Sequence, residues 1–335
     1  MSKAEAVALV LWVSLTLYAI FGGADFGAGL WDLLAGDAER GARPRAFIDG
    51  ILTPVWEANH VWLIFVLVIA WTAFPDAFAS VMSTLYVPLC LAALGIVLRG
   101  AGFAFRHVAR ELRARRATGA AFALSSVITP FFMGTVAGAI ATGRVPAEGA
   151  GDRLTSWLNV TSIGIGLLLV ATCAYMAAVF LTSDARRAGD AELEGYFRRR
   201  ALAAGGVAGA LATVDLILLS EHAGDLFDDL VGSALPLVIL SALCGTGALV
   251  QLARGRRSPR PLAVGALASV ILGWGIAQRP DVLPGALTID QAAAPSATLT
   301  ALLIVTAVAT VTVVPALALL LTLHQRATLG GEEDE

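Results

Sequence analysis

Residues 6–34 read AVALVLWVSLTLYAIFGGADFGAGLWDLL, an apolar run whose only charged side chains are Asp25 and Asp32. A membrane-crossing helix needs roughly 20 predominantly apolar residues, and this run exceeds that. It is too long for the core of a signal peptide. Lys3 is the one basic residue before it, and no small-residue cleavage site follows, so the run is expected to remain as a helix. Eight more runs of the same kind follow, at 50–71, 77–105, 118–142, 156–182, 200–220, 232–253, 261–278 and 297–323. The reading is an all-α polytopic membrane helix bundle of about nine transmembrane helices. The polar, proline-containing stretch 279–296 reads as an ordered loop between the last two.

Composition agrees. Of the 335 residues, 57% are hydrophobic and 15% charged, where a soluble domain averages about 25% charged; mean hydropathy is +0.77. Residues 1–326 read as a single transmembrane helical domain, with enough spans for two four-helix bundles plus one peripheral helix, and 327–335 as a cytoplasmic acidic tail. Cys90, Cys173 and Cys244 lie far apart inside apolar runs, in no CxxC, haem-attachment or zinc spacing, and read as buried packing residues. Gly134 with Gly138, and Gly205 with Gly209, have the spacing that lets helices approach closely. There is no Walker A motif, dinucleotide fingerprint or Ser/His/Asp signature, which leaves no soluble enzyme chemistry and no nucleic-acid partner in view.

Orientation comes from Lys and Arg, because loops rich in them stay on the cytoplasmic side. With the N-terminus outside, 18 arginines fall inside: Arg40, Arg43 and Arg45; five between Arg106 and Arg116; Arg186, Arg187 and Arg198–Arg200; four between Arg254 and Arg260; and Arg326. Only Lys3, Arg144, Arg153 and Arg279 fall outside. The split places the C-terminus inside and fits an odd number of spans. The outer loop 221–231 is acidic.

Ionisable groups at bilayer depth are costly and have a job or a partner. Asp25 lies nine residues before the inner end of the first span, roughly 14 Å deep. Glu57 lies seven residues from the inner end of the second, roughly 10 Å deep. Arg99 of the third span shares that layer. On the first span Tyr18, Gly22, Asp25, Gly29 and Asp32 share one helical face. On the second, Trp56, Glu57, Asn59, His60 and Trp62 form a polar-aromatic knot just after Pro54. Two roles are open. A carboxylate desolvated in a membrane can load and release protons near neutral pH, which makes the cluster a proton path from the cytoplasm. Alternatively Arg99 forms a structural ion pair with Glu57 or Asp25, and a carboxylate locked that way is a poor proton carrier. Asp215, near the outer end of the sixth span, reads as a rim or packing residue.

Haem in membranes is usually held by histidine. His107 and His324 sit at the cytoplasmic edge and His222 at the outer edge, leaving His60 alone inside. One buried histidine cannot build a bis-histidine site, so His60 reads as a hydrogen-bonded channel residue, and no metal site is expected.

Four stretches resemble subunit II of the cytochrome bd-type quinol oxidases: Phe21–Gly29 (FGGADFGAG), Thr53–Ile64 (TPVWEANHVWLI), Arg99–Arg106 (RGAGFAFR) and Leu283–Leu299 (LPGALTIDQAAAPSATL). The likeness runs from end to end, and Trp56–Trp62 (WEANHVW) is its most specific part. The resemblance implies a haem-free subunit of a bacterial cytoplasmic-membrane oxidase that reduces oxygen to water with electrons from quinol. Haems b and d would reside in the partner, subunit I. Further partners would be membrane lipid and a small single-helix subunit in some members, with a structural quinone as an open question. Glu57 would line a proton route toward the oxygen-reducing haem, with Asp25, Asn59 and His60 beside it, and Trp62 would border an oxygen-access route. Many members carry Asp-Gly-Asn where this chain has Glu57–Ala58–Asn59, and an acid where it has Gly22. Two other classes stand beside this reading. One is a proton-coupled secondary transporter, weakened because the charge cluster has no counterpart in the later half of the chain. The other is a purely structural membrane scaffold.

Overall fold

The computed structural model describes residues 1–36, 41–106, 112–255 and 259–330, with side chains described outside 51–58, 103–106, 112–118, 120, 314, 317–318 and 320–330. The first helix, α1 (Lys3–Leu33), starts at a capping box: the Ser2 hydroxyl accepts the Glu5 N–H, and the Glu5 carboxylate accepts the Ser2 N–H. Then follow α2 (Ala42–Ala73), α3 (Pro75–Thr84), α4 (Tyr86–Arg106), α5 (Leu112–Ala141), α6 (Val160–Arg187), α7 (Ala191–His222), α8 (Gly224–Val231), α9 (Leu235–Ala253) and α10 (Pro259–Ala277). A two-residue-wide hairpin of β1 (Asp281–Leu283) and β2 (Leu287–Thr288) precedes the last helix, α11 (Ser296–Gly330). Among the described residues seven helices are long and apolar enough to cross a membrane, and eight if one bent pair counts as a single span. The protein is a multi-pass helical membrane protein.

The third apolar run is not one helix. After Asn59–Ala73 the chain turns by 115° into α3 and breaks again at Leu85 before α4. Proline supplies the reason at both places. Pro75 begins α3, the one helical position where a missing N–H costs nothing. Pro88 cannot donate to the Thr84 carbonyl and its ring clashes there, so a helix through residue 85 would lose its ladder. The expected loop 221–231 is instead the end of α7 and the short α8, which buries Leu226 and Leu230. The last helix, α11, continues to Gly330, and residues 331–335 lie outside the described residues.

Neighbouring helices pack in the order α2–α1–α6–α7, with α5 between α4 and α6, α10 against α9 and α1, and α11 laid along α1 and α2. One apolar cluster, around Trp31, Phe122, Met176 and Phe197, fills one end. Another, around Val7, Ile69, Phe74, Trp157 and Leu283, fills the opposite end. The 279–296 stretch is ordered there. Ala294 donates its N–H to the Ala73 carbonyl at 2.8 Å, Lys3 reaches Ser296 and Thr300 at 3.0 and 2.9 Å, and Arg279 pairs with Glu5. The other end is laced by Arg43–Asp190 (2.6 Å), Arg43–Glu192, Arg186–Glu194 (2.5 Å) and Arg260–Asp184 (2.8 Å).

Of the cysteines only Cys173 is buried; Cys244 is half-buried and Cys90 exposed on α4. Apolarity in a membrane protein points to lipid as readily as to the core, so run membership could not tell these apart. The glycine spacing divides similarly. A methyl group on Gly138 would meet Ser162 Cα at 2.5 Å, and one on Gly134 would meet Gly166 Cα at 2.7 Å, whereas Gly209 has open space around it. Gly138→Ala should therefore lower the thermal stability of the purified protein by about 1–3 kcal/mol through overpacking. Gly209→Ala should be neutral or stabilise by up to about 1 kcal/mol from helix propensity. Equal effects would contradict the α5–α6 contact.

Asp190 caps α7 by accepting the Leu193 N–H at 3.0 Å and also pairs with Arg43. The backbone bond first, and Arg43 after it, hold this carboxyl below its ordinary value of 3.8. A depressed folded value means the cap's contribution is complete above 3.8 and lost as pH falls through the lower folded value. The hydrogen-exchange protection of the Leu193 N–H, taken relative to its intrinsic rate at each pH, should hold at pH 5 and fall only below 3.8.

Candidate functional site

Two charged side chains meet in the middle of the bundle. Asp25 of α1 and Arg99 of α4 are each 1% exposed. The guanidinium grips the carboxylate on two edges, Nη2 to Oδ1 at 2.5 Å and Nε to Oδ2 at 3.1 Å, and Nη2 also donates to the Asp25 carbonyl at 2.7 Å. Its remaining nitrogen, Nη1, donates to the Ser126 hydroxyl of α5 at 2.6 Å, and that hydroxyl in turn donates to the Phe122 carbonyl. The rings of Phe122 and Phe26 lie 4.3 and 5.2 Å from the guanidinium carbon. A bidentate, ring-flanked arginine with every nitrogen donating is the geometry in which a buried pair can offset its desolvation.

Each supporting residue follows from local sequence. Asp25 is one turn from Gly22 and Gly29 on the same face of α1. Gly29 is required: a methyl group there would stand 2.1 Å from Ser126 Oγ and 2.7 Å from Arg99 Nη1. Asn59 of α2, 1% exposed, donates to Asp25 Oδ2 at 3.4 Å, while its own Oδ1 lies against Gly22 without a hydrogen-bond partner among the described residues. Three helices thus contribute a polar atom to the Asp25–Arg99 pair, and a fourth contributes Asn59.

The structure brings together Asp25, Arg99 and Asn59 among the residues singled out from sequence. His60 follows Asn59 on α2 and is half-buried. Trp62 packs edge-on to Phe65 at 6.2 Å, within a cluster containing Tyr18, Phe26 and Cys173, and its indole N–H is buried with no acceptor among the described residues. The Glu57 side chain lies outside the described residues, although its backbone belongs to α2; His107, and the His324 side chain, also lie outside. Asp32, on the face of Asp25, pairs with Arg45 at 3.4 Å. Tyr18 donates its hydroxyl to the Met133 sulfur at 3.3 Å. Sequence reading missed Ser126, although Ser125–Ser126 stands out as a polar pair in the apolar run of α5. Of the two alternatives for Asp215, rim or packing, the structure gives the buried one, at 3% exposure. Among the described residues no group of three or more His, Cys, Asp or Glu could hold a metal ion.

Together these features define a multi-pass helical membrane protein with a charge-neutral ion pair sealed among α1, α4 and α5. The family model described as cytochrome bd terminal oxidase subunit II matches residues 4–323, so the chain belongs to that family. Cytochrome bd ubiquinol oxidase subunit 2 of Bacillus subtilis (strain 168) is 27% identical over 225 residues, 66% of this chain and 64% of that one. Cytochrome bd-I ubiquinol oxidase subunit 2 of Escherichia coli (strain K12) is 30% identical over 137 residues, 40% of this chain and 35% of the relative. These alignments therefore span less than two thirds of either relative's length. Among solved structures, a chain of the bd oxidase from Geobacillus thermodenitrificans superposes with a TM-score of 0.82 at 28% identity, covering 96% of this chain and 98% of that one.

Arg99→Leu would leave the Asp25 carboxylate buried and unpaired, and should cost about 3–5 kcal/mol of folded-state stability. The double substitution Asp25→Asn with Arg99→Leu should recover a large part of that loss. Denaturation of the purified variants reads the difference, and a double variant no more stable than Arg99→Leu alone would contradict the pairing.

Proposed function

We propose that this chain is the haem-free subunit II of a membrane quinol oxidase, which scaffolds a haem-bearing subunit I and conducts protons from the cytoplasm toward its oxygen-reducing haem. The observation that carries the proposal is the buried polar site at Asp25, Arg99 and Asn59 in a chain of this family. Polar groups at such depth are otherwise costly, and here they converge from separate helices onto one carboxylate. Asn59 ties the site to α2, two residues beyond Glu57 and one before His60. In this reading Glu57 is the proton-carrying carboxylate, and Asn59 and His60 extend the polar path. Asp25, neutralised as a unit with Arg99, sets the potential that path crosses. Trp62 borders the route by which oxygen enters from the lipid.

The haems b and d belong to subunit I, and quinol is the electron donor. His60, the one histidine near the site among the described residues, fits a hydrogen-bonding role better than a bis-histidine haem site. Quinol oxidation releases protons on the outer side while oxygen reduction consumes protons from the inside, so turnover charges the membrane without a pump. The topology that fits is nine spans in one transmembrane domain, 1–326, in the bacterial cytoplasmic membrane, with the N-terminus outside and the C-terminus inside. The arginine-rich end formed by the α6–α7 and α9–α10 connections then faces the cytoplasm. Lipid contacts the exposed apolar faces, and a small single-helix subunit and a structural quinone are compatible additions.

Glu57→Ala is expected to assemble with its partner and to lose most oxygen-consuming turnover per complex, with Glu57→Asp retaining more than the alanine variant. Oxygen-electrode rates on complexes matched for haem content read this. Unchanged turnover in an assembled Glu57→Ala complex would remove Glu57 from the proton path.

A further inference from the structure

Another buried carboxyl, on α7, has no cation among the described residues. Asp215 sits on α7, seven residues before its end at His222 and so roughly 10 Å in from that end. It is 3% exposed, and neither Oδ1 nor Oδ2 has a hydrogen-bond partner among the described residues. The carboxyl presses on α6 at Gly164, where a methyl group would stand 2.2 Å from Oδ1. Glycine at 164 therefore makes the room this side chain occupies. The burial comes from this chain itself, and a partner or lipid can only deepen it.

We infer that Asp215 is a proton-binding site, standing in the fold as a neutral carboxylic acid sealed between α6 and α7 in the opposite half of the bundle from Asp25 and Arg99. The comparison of the two acids decides it. Asp25, as deeply buried, holds a guanidinium on two edges. An ionised Asp215 would be a charge with no counter-ion among the described residues, in an interface of low dielectric that disfavours it. A bound proton removes the charge at no cost in packing.

Among the described residues the surrounding elements supply no alternative. α6 carries no charged residue before Asp184, and its Cys173 and Tyr175 lie at least nine residues beyond Gly164, about 13 Å along the helix. α9 carries none from Leu235 to Ala253, and its Cys244 faces Gly265 of α10. The helix α8, packed on α7, offers Asp225, Asp228 and Asp229, all exposed and all acidic. On α7 itself, Glu221 and His222 are exposed, and the His222 Nδ1 is engaged by the Leu218 carbonyl. The outer-loop cations are directed elsewhere, Arg144 to the Thr155 carbonyl and Arg153 over the Tyr86 ring.

Infrared difference spectroscopy on the purified complex tests this without using turnover, so its outcome is independent of the oxidase reading. The carbonyl stretch of a protonated carboxylic acid should be present at neutral pH, shift in heavy water, and be lost in Asp215→Asn. Loss of an ionised-carboxylate band instead would overturn the inference. Assembly gives the second arm. A neutral acid predicts that Asp215→Asn and Asp215→Leu both assemble with little change in thermal midpoint. Failure of both would reveal a charged or hydrogen-bonding partner left unserved, and the inference would be wrong.

Discussion

The Asp25–Arg99 ion pair is the constraint around which the rest of the bundle is arranged. Neither partner can be placed alone at 1% exposure, because an isolated charge in a medium of low dielectric costs more than the fold as a whole has to spare. The pair is tolerable only when α1, α4 and α5 are all in place. α1 delivers the carboxylate and the glycine gap, α4 the guanidinium, and α5 the Ser126 hydroxyl and the Phe122 ring. α2 then adds Asn59. Such a site is a weak contributor to net stability but a strong specifier of register, since sliding any of these helices by one turn would strand a charge.

The same site gives the chain a polar interior where α1, α2, α4 and α5 meet. A charge-neutral pair fixes a local potential, and a neighbouring carboxyl near that potential can exchange protons more readily than either member of the pair. In the proposed function this division of labour gives carriage to Glu57 and positioning to Arg99 and Asp25. Asp215 shows the other solution to the same problem, with a proton rather than a guanidinium removing the charge.

Much of the architecture is legible in the amino-acid sequence because lipid imposes so strict a rule. A run of 20 apolar residues has few alternatives to a helix, and most of the long helices follow the expected runs within a few residues at one end or both. The break at Phe74 falls between two expected runs, but the one at Leu85 is harder to read, because apolarity continues across it and only Pro88 marks the turn. The shared layer of Asp25 and Arg99 follows from the rise per residue. Which carboxylate Arg99 grips does not, since Glu57 lies at a similar depth and the rotation of each helix is set by packing across the bundle. Asp215 illustrates the same limit: distance from a helix end is readable, but the face that meets Gly164 is not. Cys90 looks identical to Cys173 in sequence, yet one faces outward and the other lies beside the α1 core.

The central claim is that this chain works as the haem-free member of a haem-bearing oxidase complex. The most direct measurement is a reduced-minus-oxidised optical spectrum of the tagged protein purified in mild detergent from its native membrane. The account predicts haem bands together with a second large polypeptide that co-purifies. A well-folded protein with no haem and no partner would contradict it.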